Sequence, residues 1–141
     1  MNLNKVLIFF ALASLVGCNK VKKSKRQLDG IWTIVSYQYT DPSGFSYFPE
    51  VSGKMYFENC ESEACTYSMD IQYSDPAITG SRVEQGTYLL NEEANKFDLT
   101  SILPAGDTEL KPNNEILFLR KNDLNFMYVE NGRVHRYIFE K

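Results

Sequence analysis

The sequence has little of the chemistry that most enzymes need. Its 141 residues include one histidine, one tryptophan and three cysteines, and they contain no nucleophile elbow, phosphate-binding loop, dinucleotide fingerprint or His-Glu-x-x-His motif. His135 lies in a strand-like segment between two arginines, and we interpret it as a surface or core-edge residue rather than a general base. One histidine and the few cysteines are too few for a closed zinc site. We therefore expect no catalytic residue, no metal and no cofactor.

The sequence also lacks an apolar run long enough to span a bilayer, which needs about 20 residues. Residues 6–16 form a shorter apolar run behind Lys5, as in the h-region of a signal peptide. Leu15-Val16-Gly17-Cys18 resembles the bacterial lipobox, whose cysteine becomes acylated and then forms the new N-terminus. We predict that residues 1–17 are a lipoprotein signal peptide and that Cys18 carries palmitate-type acyl chains, which anchor the chain in a membrane. The alternative is an ordinary secreted protein with a cysteine near its cleavage site.

A basic segment follows the candidate lipidation site. Residues 19–26 contain five lysines and arginines and almost nothing apolar, so they cannot bury enough surface to fold alone. We predict that residues 18–26 are a lipidated basic tether, attracted to anionic phospholipid headgroups. The acidic run that marks some surface-exported lipoproteins of Bacteroidetes-like bacteria is missing. Its absence favours an envelope location on the outer membrane, facing the periplasm.

The remainder of the chain has the opposite charge. Residues 27–141 carry 9 lysines and arginines against 18 aspartates and glutamates, a net charge of −9. A surface this acidic repels nucleic acid, so we expect neutral, apolar or cationic partners. The length suits one domain rather than two.

Two cysteines remain once Cys18 is assigned to the lipid. Cys60 and Cys65 flank four residues between two strand-like segments, in a chain predicted to reach an oxidising compartment. Directly opposed residues of an antiparallel pair lie about 4.5–5.5 Å apart at Cα, which a disulfide can bridge. We predict that Cys60 and Cys65 form a disulfide that staples this hairpin. A catalytic dithiol would need a Cys-x-x-Cys motif, which is absent.

Hydrophobic alternation indicates an all-β domain over residues 27–141. Aromatic and β-branched residues recur with period two, and turn residues interrupt them at intervals. Asn131-Gly132 is a strong hairpin signal because both residues tolerate positive φ. We predict a single eight-stranded antiparallel up-and-down barrel, with a two-sheet sandwich as the alternative. The predicted strands are residues 31–40, 53–60, 65–74, 82–90, 96–103, 115–121, 124–130 and 133–140.

The apolar face of these strands is the candidate ligand site. An eight-stranded barrel either fills its interior with side chains or holds one small ligand there. Aromatic and methionine side chains line cavities of this kind. Six of them that share the apolar face are the candidate ligand-binding residues: Tyr67, Met69, Tyr73, Phe97, Phe126 and Tyr128.

The start of the first strand carries a family resemblance. Leu28-Asp29-Gly30-Ile31-Trp32 resembles the Gly-x-Trp signature of the lipocalins and of lipocalin-like domains in Bacteroidetes lipoproteins. The resemblance implies that Gly30 and Trp32 are structural, that Trp32 plugs the closed end of the barrel, and that Arg133 or Arg136 lies over its ring. Two features depart from full lipocalins: a Thr-Asp-Tyr type motif is missing, and so is a helix after the last strand.

Two functions follow from this interpretation. The first is a lipid-anchored envelope module that binds an apolar or amphipathic small molecule in its barrel. The second is an interaction or inhibitor module that contacts an envelope protein through its loops, without a ligand cavity. Phe45, Tyr47 and Phe48 favour the second function, because apolar residues in a connection often make contacts. Alternatively, these three side chains fold over an open barrel end.

Overall fold

The strands follow the alternation of the sequence. The computed structural model describes residues 19–75, 78–103 and 105–141, and within them residues 19–28 form helix α1. Cys18 and the predicted signal peptide lie outside the described residues. The strands are β1 (Gly30–Thr40), β2 (Ser46–Tyr47), β3 (Val51–Phe57), β4 (Ala64–Asp75), β5 (Ile78–Leu90), β6 (Lys96–Ile102), β7 (Thr108–Leu119), β8 (Asp123–Glu130) and β9 (Arg133–Glu140).

The sheet closes into a barrel. Each long strand pairs antiparallel with its neighbours in chain order, and β1 pairs with β9, for example Ile34 with Phe139. The two-residue β2 adds to the edge of β1, where Tyr47 pairs with Tyr39. Because β1 bonds to both β3 and β9, the eight long strands leave no open edge between first and last. The prediction of an eight-stranded antiparallel barrel is confirmed, with one short extra strand, and the sandwich alternative is excluded.

The barrel has two ends that differ in how they are covered. At one end, which we call the floor, β3, β5, β7 and β9 finish and α1 lies beneath them. At the other end, which we call the mouth, β1, β4, β6 and β8 finish. The loop 41–50 and the Asn131–Gly132 turn lie at the mouth, and the disulfide loop 58–63 lies at the floor.

Two local predictions agree with the structure. Asn131 and Gly132 have φ values of 50° and 74°, as a type I′ turn requires. Cys60 and Cys65 form the predicted disulfide, with Cα atoms 5.6 Å apart. Closing so short a loop stabilises the fold by roughly 2 kcal/mol on the chain-entropy model.

Helix α1 corrects the expectation that residues 18–26 are an unfolded tether. Val21, Lys25 and Leu28 have the spacing of one helical face. Val21 and Leu28 pack against the barrel core, and the buried Lys25 Nζ donates to the backbone carbonyls of Ser62 and Glu63. The composition of this segment did not predict a helix, because only two apolar side chains hold it against the barrel and because its buried cation, Lys25, is satisfied by backbone carbonyls. In the described part of the chain, no helix combines the length and apolar character needed to cross a membrane.

Strand β7 is longer than predicted. Its residues 108–114 were expected to be loop, because Pro112 and two asparagines interrupt the alternation. The register shifts between Phe97 and Leu99 of the neighbouring strand. Asn113 has a φ of 58°, and Asn114 Nδ2 donates to the carbonyls of Phe97 and Lys111 at 3.0 and 2.8 Å. This irregularity accommodates a proline inside a paired strand.

Candidate ligand site

The inward-facing side chains near the floor are apolar and tightly packed. Trp32, Phe57, Phe97, Leu124 and Phe139 are each 1% exposed or less. Phe57 and Phe97 meet edge to face, with ring centroids 5.9 Å apart. A ligand in this half would have to displace these side chains, so we assign this half to stability.

Trp32 lies at the floor between α1 and the barrel core. Its Nε1 donates to the Leu28 carbonyl at 2.6 Å. The Nζ of Lys141 lies 4.4 Å from the centre of the indole, a distance at which the cation attracts the ring face. Lys141 Nζ also donates to the carbonyls of Gln27 and Asp29. The last strand, β1 and the end of α1 are therefore joined at this point.

The prediction that an arginine covers Trp32 is wrong. Arg133 is exposed beside the turn at the mouth. Arg136 Nε donates to Asn125 Oδ1 on the neighbouring strand at 3.1 Å. Because β9 begins at the mouth and runs toward the floor, Arg133 and Arg136 precede its floor end, and the cation over Trp32 is Lys141, which follows that end.

Toward the mouth the interior becomes polar. Arg82 on β5 donates from Nη1 to the hydroxyls of Tyr128 and Tyr137 at 2.8 and 3.0 Å, and from Nε to Glu84 at 2.5 Å. Lys111 Nζ also donates to Glu84 at 2.5 Å. We call the connected set the mouth cluster: Tyr67, Tyr73, Arg82, Glu84, Ser101, Lys111, Tyr128 and Tyr137.

The mouth cluster contains an ion-pair network centred on Glu84. Arg82 and Lys111 share the carboxylate of Glu84. Lys111 Nζ also lies 3.6 Å from the exposed carboxylate of Glu109. The side chains of Arg82, Lys111 and Glu84 are 15%, 17% and 11% exposed, in that order, so water reaches the cluster. Burial raises the pKa of Glu84, but hydrogen bonds and charges from Arg82 and Lys111 outweigh burial and lower that pKa to about 2. Glu84 is therefore ionised at neutral pH, and the exposed Glu109 offsets the second cation at the edge of the cluster.

Three tyrosines of the mouth cluster, Tyr67, Tyr73 and Tyr128, stay neutral. Burial raises the pKa of Tyr67 to about 12, although its hydrogen bond to Ser101 opposes the shift. Burial also raises the pKa of Tyr73 and Tyr128 well above the ordinary value. The Tyr73 and Tyr137 hydroxyls lie 2.9 Å apart. Neutral phenols can both donate and accept, so the cluster offers donors beside the positive charge of Arg82.

His135 lies at the mouth, half-buried between aromatic rings. Its Nδ1 is 2.8 Å from the Tyr37 hydroxyl, and its ring stacks on Tyr128 with centroids 4.8 Å apart. Burial lowers its pKa, and Arg82 lowers it further. The imidazole is therefore held neutral and fixed by its neighbours, as expected for a core-edge histidine. Within residues 19–75, 78–103 and 105–141, no group of three or more His, Cys, Asp or Glu side chains could hold a metal ion.

The structure separates the six candidate ligand-binding residues into two groups. Tyr67, Tyr73 and Tyr128 belong to the mouth cluster. Phe97 and Phe126 are packed in the apolar half, where their rings meet at 5.1 Å. The sixth residue, Met69, is buried in the same core. Of the six, the three tyrosines are the ones whose hydroxyls belong to the polar network.

Sequence reasoning missed the charged members of the mouth cluster. Arg82 and Glu84 have the same parity on β5 as the buried Tyr88 and Leu90, so the alternation itself places them inward. Two charged residues at inward positions were the available signal, because buried charges are rare unless paired. Lys111 gave no such signal, because the irregularity in β7 breaks the alternation there.

Comparison with known proteins shows the fold. No protein-family model matches the chain, and no curated protein matches it. Among solved structures it is similar to a redesigned β-barrel, mFAP0, bound to DFHBI, with a TM-score of 0.53 and 12% identity over 82% of this chain and 99% of that one. It is also similar to EF1p2_mFAP2b bound to DFHBI, with a TM-score of 0.53 and 12% identity over 85% and 98% of the two chains. The chain therefore shares the fold of β-barrels solved with a bound small molecule.

Proposed function

We propose that this chain is a lipid-anchored envelope lipoprotein whose barrel binds an amphipathic small molecule at its mouth. The ligand's acidic or hydrogen-bond-accepting group would lie against Arg82 and the tyrosine hydroxyls, and its apolar part against the neighbouring rings. The observation that carries the proposal is Arg82, a charged side chain inside the barrel, joined to two tyrosines and still 15% exposed. The role is binding rather than catalysis.

The gradient along the interior supports the mouth as the entrance. The floor half is packed with aromatic and aliphatic side chains, whereas the charged members of the mouth cluster are reached by water. Binding sites of small molecules are mostly apolar with a few placed polar groups. The half of the barrel nearest the mouth has apolar rings and polar groups together. The rings of Tyr37 and Tyr73 lie 5.2 Å apart, and the Tyr73 hydroxyl meets that of Tyr137, to which Arg82 donates.

The electrostatics favour a ligand with an acceptor or anionic group. Arg82 shares Glu84 with Lys111, whereas Lys111 also contacts Glu109, so an acceptor group of the ligand would be attracted chiefly to Arg82. The Tyr128 hydroxyl accepts a hydrogen bond from Arg82 and retains its own proton to donate. The comparison structures, both bound to DFHBI, support a role for such a barrel in holding a small molecule.

Titration with the dye anilinonaphthalene sulfonate (ANS) tests the binding site. ANS combines apolar rings with a sulfonate, and one molecule should bind each folded chain. Tyr128→Phe removes one mouth hydroxyl and should weaken the affinity about tenfold. Tyr88→Phe is the matched control, because its hydroxyl donates to the Glu58 carbonyl at the floor, and its ANS affinity should equal the wild type.

A second variant removes the charge of Arg82 while keeping the side chain's packing, so that a loss of ANS binding is not caused by unfolding. Arg82→Met keeps an apolar stem of similar length and leaves Glu84 paired with Lys111, and it should abolish stoichiometric ANS binding. Equal ANS affinity in all four proteins would refute the mouth site. Native mass spectrometry of protein purified from a periplasm without detergent would then look for the natural ligand as an adduct that is lost on denaturation. The chain used must include α1, since Leu28 is part of the core.

Anchoring is tested separately. Bacteria grown with labelled palmitate should incorporate the label into the wild-type chain, and Cys18→Ser should abolish the incorporation. Recovery of label in Cys18→Ser, or of unlabelled wild-type protein in the soluble periplasmic fraction, would overturn the anchor.

A second candidate function is protein contact through the 41–50 loop. Phe45 and Phe48 are 68% and 67% exposed, which favours contact with a partner over folding across the mouth. Tyr47 differs from them, because its ring stacks on Tyr39 at 4.6 Å. Two neighbouring exposed aromatic side chains favour a contact surface for an envelope protein.

A further inference from the structure

A basic groove lies under the floor of the barrel. Its volume is about 720 Å³, and its basic lining residues are Lys22, Lys23, Arg26, Lys121 and Lys141. The other lining residues are asparagine or glutamine. The groove therefore concentrates positive charge on one end of a domain whose residues 27–141 carry a net charge of −9.

Helix α1 forms one wall of this groove because it has two distinct faces. Val21, Lys25 and Leu28 face the barrel, which turns Lys22, Lys23 and Arg26 outward, and these three are exposed. The opposite wall comes from the barrel itself, through Lys121 in the β7–β8 turn and Lys141 after β9. Folding of the basic segment thus joins cations from three separate parts of the chain.

The position of the groove indicates what it faces. Cys18 directly precedes α1, so acyl chains on that residue would enter a bilayer beside the floor. Basic residues near an anionic bilayer surface are each worth about fivefold in partitioning. The proposed anchor at Cys18 would hold a bilayer next to the groove, whereas a soluble polyanion would have to overcome the net charge of −9 on residues 27–141.

We propose that this groove seats the anionic headgroups of the bilayer that holds Cys18, so that the barrel stands on its floor with the mouth turned away from the membrane. The proposal rests on the proposed lipid anchor and not on ligand binding at the mouth. It assigns the basic residues a role in orienting the domain.

Vesicle binding of the full chain tests the groove. Cys18→Ser removes the acyl chains, and every protein compared carries this change. Vesicles of phosphatidylcholine alone are compared with vesicles that also contain phosphatidylglycerol. The apolar leader adds the same affinity to all variants, so the ratio between the two vesicle types isolates the charge effect. Lys22→Gln with Lys121→Gln should lower this ratio roughly 25-fold, at about fivefold per cation.

The matched control makes the same change of charge elsewhere. Lys54→Gln with Arg133→Gln removes two exposed cations from the outer wall and the mouth, and it should leave the ratio unchanged. An equal fall in both double variants would show general attraction rather than a groove. An unchanged ratio in the groove variant would overturn the lipid site and leave an acidic protein as the remaining kind of occupant.

The single tryptophan reports the orientation without any label. Trp32 lies next to Lys141 of the groove, so brominated lipid in the anionic vesicles should quench its fluorescence in the Cys18→Ser protein more than in the same protein with the groove substitutions. Binding without this extra quenching would mean that another face meets the membrane. Since ANS binding is measured without vesicles, a failure at the mouth and a failure at the groove are distinguishable.

Discussion

The floor and the mouth are built by the same eight strands, yet their inward positions carry different chemistry. Near the floor these positions hold Trp32, Phe57 and Phe139, which water does not reach. Near the mouth they hold several tyrosines together with Arg82 and Glu84, and water reaches these two charged side chains in part. The alternation of a strand decides whether a residue faces the barrel interior. The polarity of the inward residues then decides whether that part of the interior stabilises the barrel or can bind a ligand. Variants at the two ends can test this division.

The largest effect is expected at the floor. Trp32→Ala should lower the free energy of unfolding by about 3–5 kcal/mol, because it opens a large cavity and removes the contact with Lys141. Tyr73→Ala at the mouth should cost about 1–2 kcal/mol, since that side chain is only partly buried. Urea unfolding followed by circular dichroism measures both, as the first variant lacks the only tryptophan. Equal losses would remove the distinction between the two ends.

An intermediate effect is expected from the carboxylate of the mouth cluster. Glu84→Gln leaves Arg82 and Lys111 close together without their shared anion, and it should lower the free energy of unfolding by about 2 kcal/mol. Glu115→Gln is the control, because Glu115 is exposed on β7. Its unfolding should match the wild type.

The same carboxylate makes stability depend on pH. The folded-state pKa of Glu84 is about 2, below its ordinary value of 4.5, so its stabilisation is complete above the unfolded pKa and is lost as pH falls toward 2. The wild type should therefore lose stability across this window, and Glu84→Gln should lose less. Parallel curves for the two proteins would show that other carboxylates account for the acid sensitivity.

The smallest effect is expected at the loop beside the mouth. Phe45→Ser with Phe48→Ser should change the free energy of unfolding by less than about 0.5 kcal/mol, because both side chains are exposed. ANS affinity should also be unchanged. A fall in stability or in ANS affinity would mean that these rings cover the mouth. The exposed rings would then no longer support a protein contact at this loop.

Much of the fold could be predicted because it depends on local patterns. The alternation and the Asn131-Gly132 turn placed the last hairpin, and the spacing of Cys60 and Cys65 predicted the disulfide. Features that depend on long-range packing were missed. Helix α1 needs the carbonyls of the disulfide loop for Lys25, and the start of β7 needs the side chain of Asn114 in place of regular pairing.

The candidate site was predictable only in part. Alternation identified Tyr67, Tyr73 and Tyr128 as inward-facing residues. Arg82 and Glu84 were not predicted as site residues, because the lining of the barrel was expected to be apolar. The identity of the cation over Trp32 could not be read from the sequence either, because it depends on which end of β9 reaches the floor.

The seam between β1 and β9 has a consequence for when this protein can fold. Thr33 pairs with Glu140, so the first long strand obtains one of its two partners only after almost the whole chain has emerged. Contacts so distant in sequence slow folding, and an unpaired strand edge is prone to aggregate meanwhile. A chain that is threaded through a membrane before it folds needs this delay, because a barrel that could close early would block its own passage. For the export proposed above, the late seam would keep the chain open during passage, and β1 would remain an unpaired edge until β9 follows.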